Sequence, residues 1–344
     1  MLAAVLEAPG RMPLKEVPDP EPGAGEVVVK VEACGICQTD YSAYTGRRTN
    51  VEFPAILGHE ISGTIAALGD GVTVWREGDA VALTPVISCG ECRPCRLGLQ
   101  HYCRNGIVIG GEGQPTVLDG AFAEYVAVPT SVLFRKPEGV PFEAAALAEP
   151  LAGCYKGLIE YSRLTVGEDV VILGAGSMGL LLVQLAAAAG AGTLIAVDIV
   201  ETRLAKAREQ GATHVVIAGD GLKERVYDIL SDGPDLVFEA AGTFEAALAA
   251  FDLCRRGTRV NMFGVIVPGE IPVSPAEIHF LETRVDASFS VNPQVMEKSI
   301  ELMAKDKVHP ERIVTHQFPL REMQAALRSM ESPDRVKVMI RPSQ

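Results

Sequence analysis

The first part of the chain alternates apolar and polar positions in short runs. These runs include EVVVKVEAC from residue 26, ISGTIAALG from residue 61, DAVALTPV from residue 79 and AFAEYVAV from residue 121, with turn sequences such as PEPGAG and GDGV between them. Alternation of β-branched residues between Gly, Pro and Asp turns is typical of half-buried strands. The pattern predicts an antiparallel, β-rich domain.

The pattern of apolar and polar residues changes near residue 150, where predicted apolar strands begin to alternate with predicted helices. Strands such as VVIL, TLIAVD and DLVFE are followed by predicted helices, which we place at Met178–Ala189, Thr202–Gln210 and Phe244–Cys254. This rhythm predicts βαβ units and a doubly wound parallel sheet. We therefore expect an α/β domain at 151–290 and a β-rich domain at 1–150. A last helix at Pro293–Lys305 and the tail lead back to the β-rich domain, which also takes 291–344.

Composition narrows the class of protein. The chain has 344 residues, 48% of them hydrophobic and 22% charged, which predicts a globular protein of two domains. Its net charge of −13 argues against a nucleic-acid partner. No apolar run reaches the roughly 18–20 residues that span a bilayer, so no membrane association is expected. The start MLAAVLEAPG lacks a basic segment before a long apolar stretch, which favours a cytoplasmic location.

Four cysteines fall within the run CGECRPCRLGLQHYC, at positions Cys89, Cys92, Cys95 and Cys103. Short C-x2-C steps let backbone turns aim successive thiolates at one tetrahedral zinc ion. Two disulfides, unmetallated thiols and a zinc-knuckle-like nucleic-acid module remain as alternatives, although the expected compartment and the net charge argue against the first and the last. We expect a structural zinc in a lobe at 86–106, with a closed shell and no catalytic role.

A glycine motif lies in the α/β part of the chain. Gly174, Gly176 and Gly179 form G-x-G-x-x-G after the strand VVIL and before an apolar helix, and Asp198 follows at the end of the next strand. Such a turn brings a pyrophosphate to a helix N-terminus, and the acid accepts the ribose hydroxyls. This predicts NAD(H) rather than NADP(H). Arg203 is a candidate to stack on adenine or to meet a phosphate.

Candidates for the chemistry lie upstream of the cysteine run. They are Cys37 in CGICQTD, His59 and Glu60 in GHEISG, and Glu149 in LAEPLAG. Zinc held by such S, N and O donors with an open position acts as a Lewis acid on a substrate oxygen. Each residue alone also fits a plainer interpretation: a buried thiol, a hydrogen-bonded core histidine or a solvated carboxylate.

In combination these motifs resemble the zinc-dependent medium-chain dehydrogenases. CGICQTD, GHEISGTIAALGDGV, the CGECRPC lobe, AEPLA and GAGSMG appear in the family's order, and Glu149–Pro150 is similar to the polyol (sorbitol) and threonine dehydrogenase branch. The resemblance implies a GroES-like catalytic domain and a Rossmann cofactor domain. It makes Cys37, His59 and Glu60 ligands of a catalytic zinc.

The resemblance also assigns roles around that zinc. Glu149 would be a fourth ligand or hydrogen-bond a zinc-bound water, and Asp40 would fix the His59 tautomer. Thr39 matches the family hydroxyl that takes the substrate proton. Many members continue C-G-T-D-x-H, but here Ser42 stands in place of that histidine. Since serine does not titrate near neutral pH, the proton route changes, and polyols, sugars, cyclitols or amino alcohols are favoured over threonine.

The cofactor is expected to contact the segment from Gly174 to Gly179, including Ser177 and Met178, and the loop from Phe263 to Val265. The family further implies a homo-oligomer, a tetramer or a dimer, with the strand VDASFS from residue 285 as a candidate edge. The predicted enzyme carries one catalytic and one structural zinc and transfers hydride between NAD(H) and a small alcohol or ketone. The alternatives are a simple secondary-alcohol dehydrogenase, an NAD-binding relative without turnover, and a zinc-independent quinone or enone reductase.

Overall fold

The structure is a computed structural model that describes residues 1–110, 118–266 and 269–343. The chain divides into two compact units. The first comprises Met1–Ala152 and Val291–Gln344, and the second comprises Gly153–Ser290.

The strands and helices of the described residues are numbered here in chain order. The strands are β1 Leu2–Leu6, β2 Leu14–Glu16, β3 Glu26–Ile36, β4 Ala55–Ile56, β5 Glu60–Leu68, β6 Ala80–Leu83, β7 Val86–Ile87, β8 Ile107–Val108, β9 Tyr125–Pro129, β10 Leu133–Arg135, β11 Val170–Leu173, β12 Leu194–Asp198, β13 His214–Ile217, β14 Leu236–Glu239, β15 Arg259–Met262, β16 Arg284–Ala287, β17 Val314–Pro319 and β18 Lys337–Arg341. The α-helices are α1 Gln38–Tyr44, α2 Arg93–Arg96, α3 Phe142–Ala146, α4 Ala148–Tyr155, α5 Ser177–Ala188, α6 Glu201–Glu209, α7 Leu222–Ile229, α8 Phe244–Asp252, α9 Pro275–Leu281, α10 Pro293–Ala304 and α11 Met323–Ser329. A π-helical turn covers Lys156–Tyr161.

A seven-stranded sheet forms the frame of the first unit. Its order is β10-β6-β5-β3-β18-β17, and β9 also pairs with β3. Neighbouring strands are antiparallel except β17 and β18, which are parallel. Val338 of β18 lies opposite Ile36 of β3. The end of the chain is thereby brought beside the end of β3, where the candidate site begins.

The second unit contains a six-stranded parallel sheet in the order β13-β12-β11-β14-β15-β16. All four residues of its central strand β11 are buried apolar side chains, as expected for a parallel strand covered on both faces. The strand order changes direction at β11. In open α/β sheets, ligands bind outside the carboxyl ends of the strands at such a point.

The predicted fold class, with a GroES-like β-rich part and a Rossmann parallel sheet, is confirmed. The helices expected from residues 178, 202, 244 and 293 appear as α5, α6, α8 and α10, with bounds within two residues of those predicted. DAVALTPV does not form one strand, because β6 ends at Leu83, two residues before Pro85, whose nitrogen cannot donate to a ladder. The sequence patterns do not predict α1, α2, α3, α4, α7, α9 or α11. Among the described residues, no helix has the length and apolar character needed to cross a bilayer.

Candidate metal centres and nucleotide site

The four clustered cysteines converge in the first unit. The Sγ atom of Cys92 lies 3.4 Å from that of Cys95 and 3.9 Å from that of Cys103, while the Sγ atom of Cys89 lies 3.5 Å from that of Cys103 and 4.0 Å from that of Cys95. These are free thiols, so the disulfide alternative is absent from the structure. A tetrahedral zinc with sulfurs at about 2.3 Å needs sulfurs about 3.8 Å apart. The geometry of this outer cluster therefore fits one zinc ion.

The thiols of the outer cluster differ in acidity. Hydrogen bonds from the backbone at Cys95 and Arg104 lower the pKa of Cys92 to about 6, while burial and the neighbouring thiols raise the pKa of Cys95 to about 12. Close thiols resist joint ionisation because each new thiolate repels the others. A bound dication would offset the repulsion between the thiolates. The pKa shifts therefore favour a metal ion at this cluster, as the spacing of the sulfur atoms does.

The second candidate centre, the inner trio, comprises Cys37, His59 and Glu60, whose ligand atoms all lie within 4.8 Å of one another. Cys37 joins β3 to α1, and Glu60 begins β5. The register of these antiparallel strands places Gly35 directly opposite Glu60. A Cβ atom on Gly35 would fall 1.9 Å from Oε2 of Glu60, so only glycine leaves room for the carboxylate. His59 and Glu60 are both buried.

Lys337, which no sequence motif predicts, forms an ion pair with Glu60 of the inner trio. Nζ of Lys337, the first residue of β18, lies 2.7 Å and 2.8 Å from the two carboxylate oxygens of Glu60 and donates to the carbonyl of Ile36 at 3.2 Å. Burial opposes charge on Lys337, but Glu60, Cys37 and Asp40 together outweigh the effect of burial and raise the lysine pKa. Both oxygens of Glu60 are thus engaged, and ligation of a metal by Glu60 would compete with this ion pair.

Asp40 supports the inner trio from α1. Its carboxylate accepts hydrogen bonds from the amides of Cys37 at 2.8 Å and Gly58 at 3.3 Å, and its Oδ1 lies 3.3 Å from Nδ1 of His59. Burial disfavours charge on His59, yet Asp40 and Cys37 raise its pKa well above the usual range. Since Nδ1 faces Asp40, Nε2 is the ring nitrogen left for a metal.

The predicted proton-handling residues lie on the same short helix. Thr39 and Ser42 are three residues apart on α1, which puts them on one helix face. The Oγ1 atom of Thr39 is buried and has no hydrogen-bond partner among the described residues. A buried hydroxyl without a partner is costly, so this atom is suited to meet a bound molecule. Glu149, in α4, does not belong to the group of ligand atoms within 4.8 Å.

The three glycines of the nucleotide motif have distinct surroundings in the second unit. Gly174 has φ of +102° and lies against Ala241, whose nitrogen would be 2.7 Å from an added Cβ. A Cβ on Gly179 would fall 1.8 Å from the carbonyl oxygen of Gly174, whereas one on Gly176 would meet no atom within 4 Å. The first and third glycines thus allow the turn and the helix contact. The second leaves open space for a pyrophosphate, as in dinucleotide sites.

The acid predicted to bind ribose is fixed above this turn. Oδ2 of Asp198 accepts from the amide of Ala175 at 2.7 Å, and Oδ1 accepts from the amide of Val200 at 2.9 Å. These bonds hold the carboxylate at the carboxyl end of β12. Arg203 lies on α6, and its Nε atom is buried without a hydrogen-bond partner among the described residues.

The remaining predicted cofactor contacts lie near the same edge of the sheet. Ser177 and Met178 begin α5 and are partly buried. Phe263 directly follows β15, with its ring centroid 5.4 Å from that of Phe238 in β14. Val265 is 79% exposed. Contact of these residues with the cofactor stays a prediction.

Comparisons with known proteins extend over nearly the whole chain. The alcohol dehydrogenase GroES-like domain matches residues 23–138, and the zinc-binding dehydrogenase model matches residues 177–305. Sorbitol dehydrogenase of Bacillus subtilis (strain 168) is 34% identical over 100% of this chain and 98% of the relative. L-threonine 3-dehydrogenase of Bacillus licheniformis is 30% identical over 99% of each chain. A zinc-binding-dehydrogenase homologue of Sinorhizobium meliloti 1021, solved with NADP, is 35% identical over 99% of each chain, with a TM-score of 0.92.

Proposed function

The chain belongs to the zinc-dependent medium-chain dehydrogenases, in their polyol and threonine dehydrogenase branch, and we propose that it oxidises a secondary alcohol with zinc and NAD+. The substrate class is a polyol, sugar, cyclitol or amino alcohol, and the reverse reaction reduces the ketone. The observation that carries this proposal is the inner trio of Cys37, His59 and Glu60, together with the buried hydroxyl of Thr39, two residues after Cys37, which has no hydrogen-bond partner among the described residues.

The residues of this chain have separate tasks in the proposed reaction. Cys37 and His59 would hold the catalytic zinc, with Glu60 or Glu149 as a further donor. Zinc at such a site supplies Lewis acidity, which lowers the pKa of an alcohol hydroxyl. Thr39 accepts the hydroxyl proton, and Ser42, on the same face of α1, passes it on through water. Asp40 keeps His59 oriented for its task.

We propose one zinc at the inner trio and a second at the outer cluster. The sulfur spacing supports the second site, and the convergence of S, N and O donors supports the first. Metal analysis of the purified protein tests this count. Two zinc atoms per chain are expected, and one atom that remains after Cys37→Ala but is lost after Cys92→Ala would assign it to the outer cluster alone. A protein that binds NADH with no inner zinc would favour the relative without turnover.

NAD is the proposed cofactor, although the Sinorhizobium relative was solved with NADP. The carboxylate of Asp198 suits two ribose hydroxyls and would repel a 2′-phosphate. The test is Asp198→Ala, which should weaken NAD+ binding more than NADP+ binding. An unchanged ratio of the two dissociation constants would refute the ribose role.

The homo-oligomer predicted from the sequence is proposed to form through β16. This strand lies at the end of the parallel sheet, and Val285 and the nearby Phe289 are 44% and 69% exposed. Unpaired strand edges favour pairing with a second chain. Light scattering on the wild type and on Val285→Lys tests this, since a dimer or tetramer should dissociate in the variant. The cytoplasmic location stays a prediction.

The decisive experiment for the proposed function is a screen of NAD+ reduction. It compares polyols, aldoses, cyclitols and amino alcohols with threonine and simple secondary alcohols, using Cys37→Ala as the blank. Turnover best with a multiply hydroxylated substrate supports the proposal. Preference for an unfunctionalised alcohol favours the simple dehydrogenase instead, and no zinc-dependent turnover with any class contradicts the proposal.

A further inference from the structure

A buried carboxylate lies at the carboxyl end of β14 and has no part in the proposed chemistry. Glu239 is the last residue of that strand and is fully buried. Burial raises its pKa, and hydrogen bonds from the amides of Gly242, Ala241 and Gly264 act in the opposite direction. Burying a carboxylate is costly unless hydrogen bonds compensate for the lost water. Such a group needs an explanation beyond packing.

The carboxylate joins two loops. Oε1 of Glu239 accepts hydrogen bonds from the amides of Ala241 at 2.9 Å and Gly242 at 2.7 Å, in the loop after β14. Oε2 accepts from the amide of Gly264 at 3.2 Å, in the loop after β15. The amide of Gly264 also donates to the main-chain carbonyl of Glu239 at 2.8 Å, so the carboxylate fixes the loop after β14 and adds a second bond to the loop after β15.

The order of the strands indicates which part of a dinucleotide these loops meet. The glycine turn follows β11, and Asp198 ends β12, which lies on one side of β11; β14 and β15 lie on its other side. A dinucleotide with its adenosine ribose on Asp198 and its pyrophosphate on the turn must extend its second half towards β14 and β15. The loop after β14 also touches the turn, because Ala241 packs against Gly174.

We propose that Glu239 is a positioning residue that holds the loops after β14 and β15 in place for the nicotinamide half of the cofactor. The proposal rests on the proposed function as an NAD-dependent enzyme. Glu239 itself touches backbone amides, so its effect on the ligand passes through the two loops.

Glutamine is the informative replacement. A carboxylate accepts hydrogen bonds at both oxygens, whereas one end of a glutamine amide is a donor. In Glu239→Gln this NH2 group must face either the amides of Ala241 and Gly242 or that of Gly264, so one of the carboxylate's contacts with the loops becomes a donor facing a donor, while the main-chain bond from Gly264 to the carbonyl of residue 239 remains. The adenosine side, at β12, keeps its contacts.

The test compares NADH with ADP, which carries the adenosine and pyrophosphate but no nicotinamide. Loss of a hydrogen bond to a buried charge predicts that Glu239→Gln weakens NADH binding by roughly tenfold or more. Its ADP affinity should stay within about twofold of the wild type, whereas Asp198→Ala should weaken both ligands. Leu236→Val, a cavity-forming change at the opposite end of β14, is the stability control and should leave the ratio of NADH to ADP affinity unchanged. Calorimetric titration measures all four proteins.

A second variant, Gly264→Ala, disturbs the contact between Glu239 and the two loops without removing the charge of Glu239. A Cβ on Gly264 would lie 2.4 Å from Oε2 of Glu239 and 2.5 Å from the nitrogen of Gly242. Gly264→Ala should therefore also weaken NADH selectively, and it decides the question if Glu239→Gln does not fold. Equal losses of NADH and ADP affinity, or no loss in either variant, would overturn the positioning role. A wild-type protein that binds neither ligand would instead contradict the proposed function, and the positioning role would fall with it.

Discussion

The described residues of the first unit contain two candidate metal centres, and these are built in opposite ways. The outer cluster takes all four thiols from the fifteen residues between Cys89 and Cys103, and three of these cysteines are partly exposed. The inner trio takes its donors from residues at the end of β3 and the start of β5, and Glu60 is paired with Lys337, 277 residues further along the chain. The outer cluster is therefore contained within one short segment of the chain. The inner trio exists only when the whole sheet has formed.

The outer cluster and the inner trio also differ in net charge. Four thiolates outweigh one dication, so a metallated outer cluster keeps negative charge and repels an anionic oxygen. At the inner trio, Lys337 cancels Glu60, so a bound dication would be offset only by the Cys37 thiolate and the carboxylate of Asp40. An ionising hydroxyl would therefore meet less negative charge at the inner trio than at the outer cluster, which favours its anion there. This difference in charge agrees with the proposed roles, chemistry at the inner trio and structural support at the outer cluster.

The largest expected effect comes from removing one thiol from each centre. Cys37→Ala should abolish turnover while the thermal midpoint stays close to that of the wild type, because the sheet around it is held by other contacts. Cys92→Ala should lower the midpoint and promote aggregation, because the outer loop loses its closed shell. Activity assays and thermal scans on both variants check this. The reverse pattern would exchange the roles of the two centres.

The contrast also explains what the sequence could predict. The cysteine spacing and the glycine motif are local, and the structure brings those residues together. Lys337 and Glu239 carry no motif: each sits in an apolar strand, and its importance depends on what a distant segment places beside it. Buried charges within β18 and β14 were the available signal, since lysine and glutamate are rarely fully buried without partners. The partners themselves follow only from the strand order.

The next prediction concerns the ion pair between Lys337 and Glu60 of the inner trio. Lys337→Met keeps much of the side-chain volume but leaves Glu60 buried without its cation, which should cost about 3–5 kcal/mol in free energy of unfolding. Urea denaturation measures the loss. We expect a smaller loss with zinc bound than after chelation, because the ion then offsets the charge of Glu60. Lys337→Arg serves as the control that retains the charge, and equal losses with and without zinc would show that Glu60 does not feel the ion.

A weaker effect is expected from Asp40. Asp40→Asn keeps the shape of the side chain but removes the charge beside His59 and changes one acceptor of the Cys37 and Gly58 amides into a donor. Changes to such supporting groups typically reduce activity or metal affinity by about 10–100-fold. Steady-state kinetics and zinc content measure the two quantities. The zinc of the outer cluster should be unaffected, and its loss would mean that the two centres are coupled.

The smallest effect concerns how α1 is held. The Tyr41 hydroxyl donates to Oε1 of Glu331 at 2.7 Å, and this hydrogen bond, together with burial, raises the pKa of Tyr41 above its usual value of 10.0. A raised folded-state pKa contributes stability below the unfolded value and loses it as the pH rises through the folded value. Tyr41→Phe should therefore cost about 1 kcal/mol or less near pH 8.

That difference should shrink above pH 10, where the tyrosine of the unfolded wild type ionises. Urea midpoints of both proteins at pH 8 and near pH 11 measure it, and titrations common to the two proteins cancel in the comparison. A difference that stays constant with pH would mean that Tyr41 supports α1 by packing alone. Lys337 would then be the distant residue that stabilises the inner trio, and the hydrogen bond from Tyr41 to Glu331 would not contribute. The outer cluster needs no such distant contact, because its four thiols lie within one short segment.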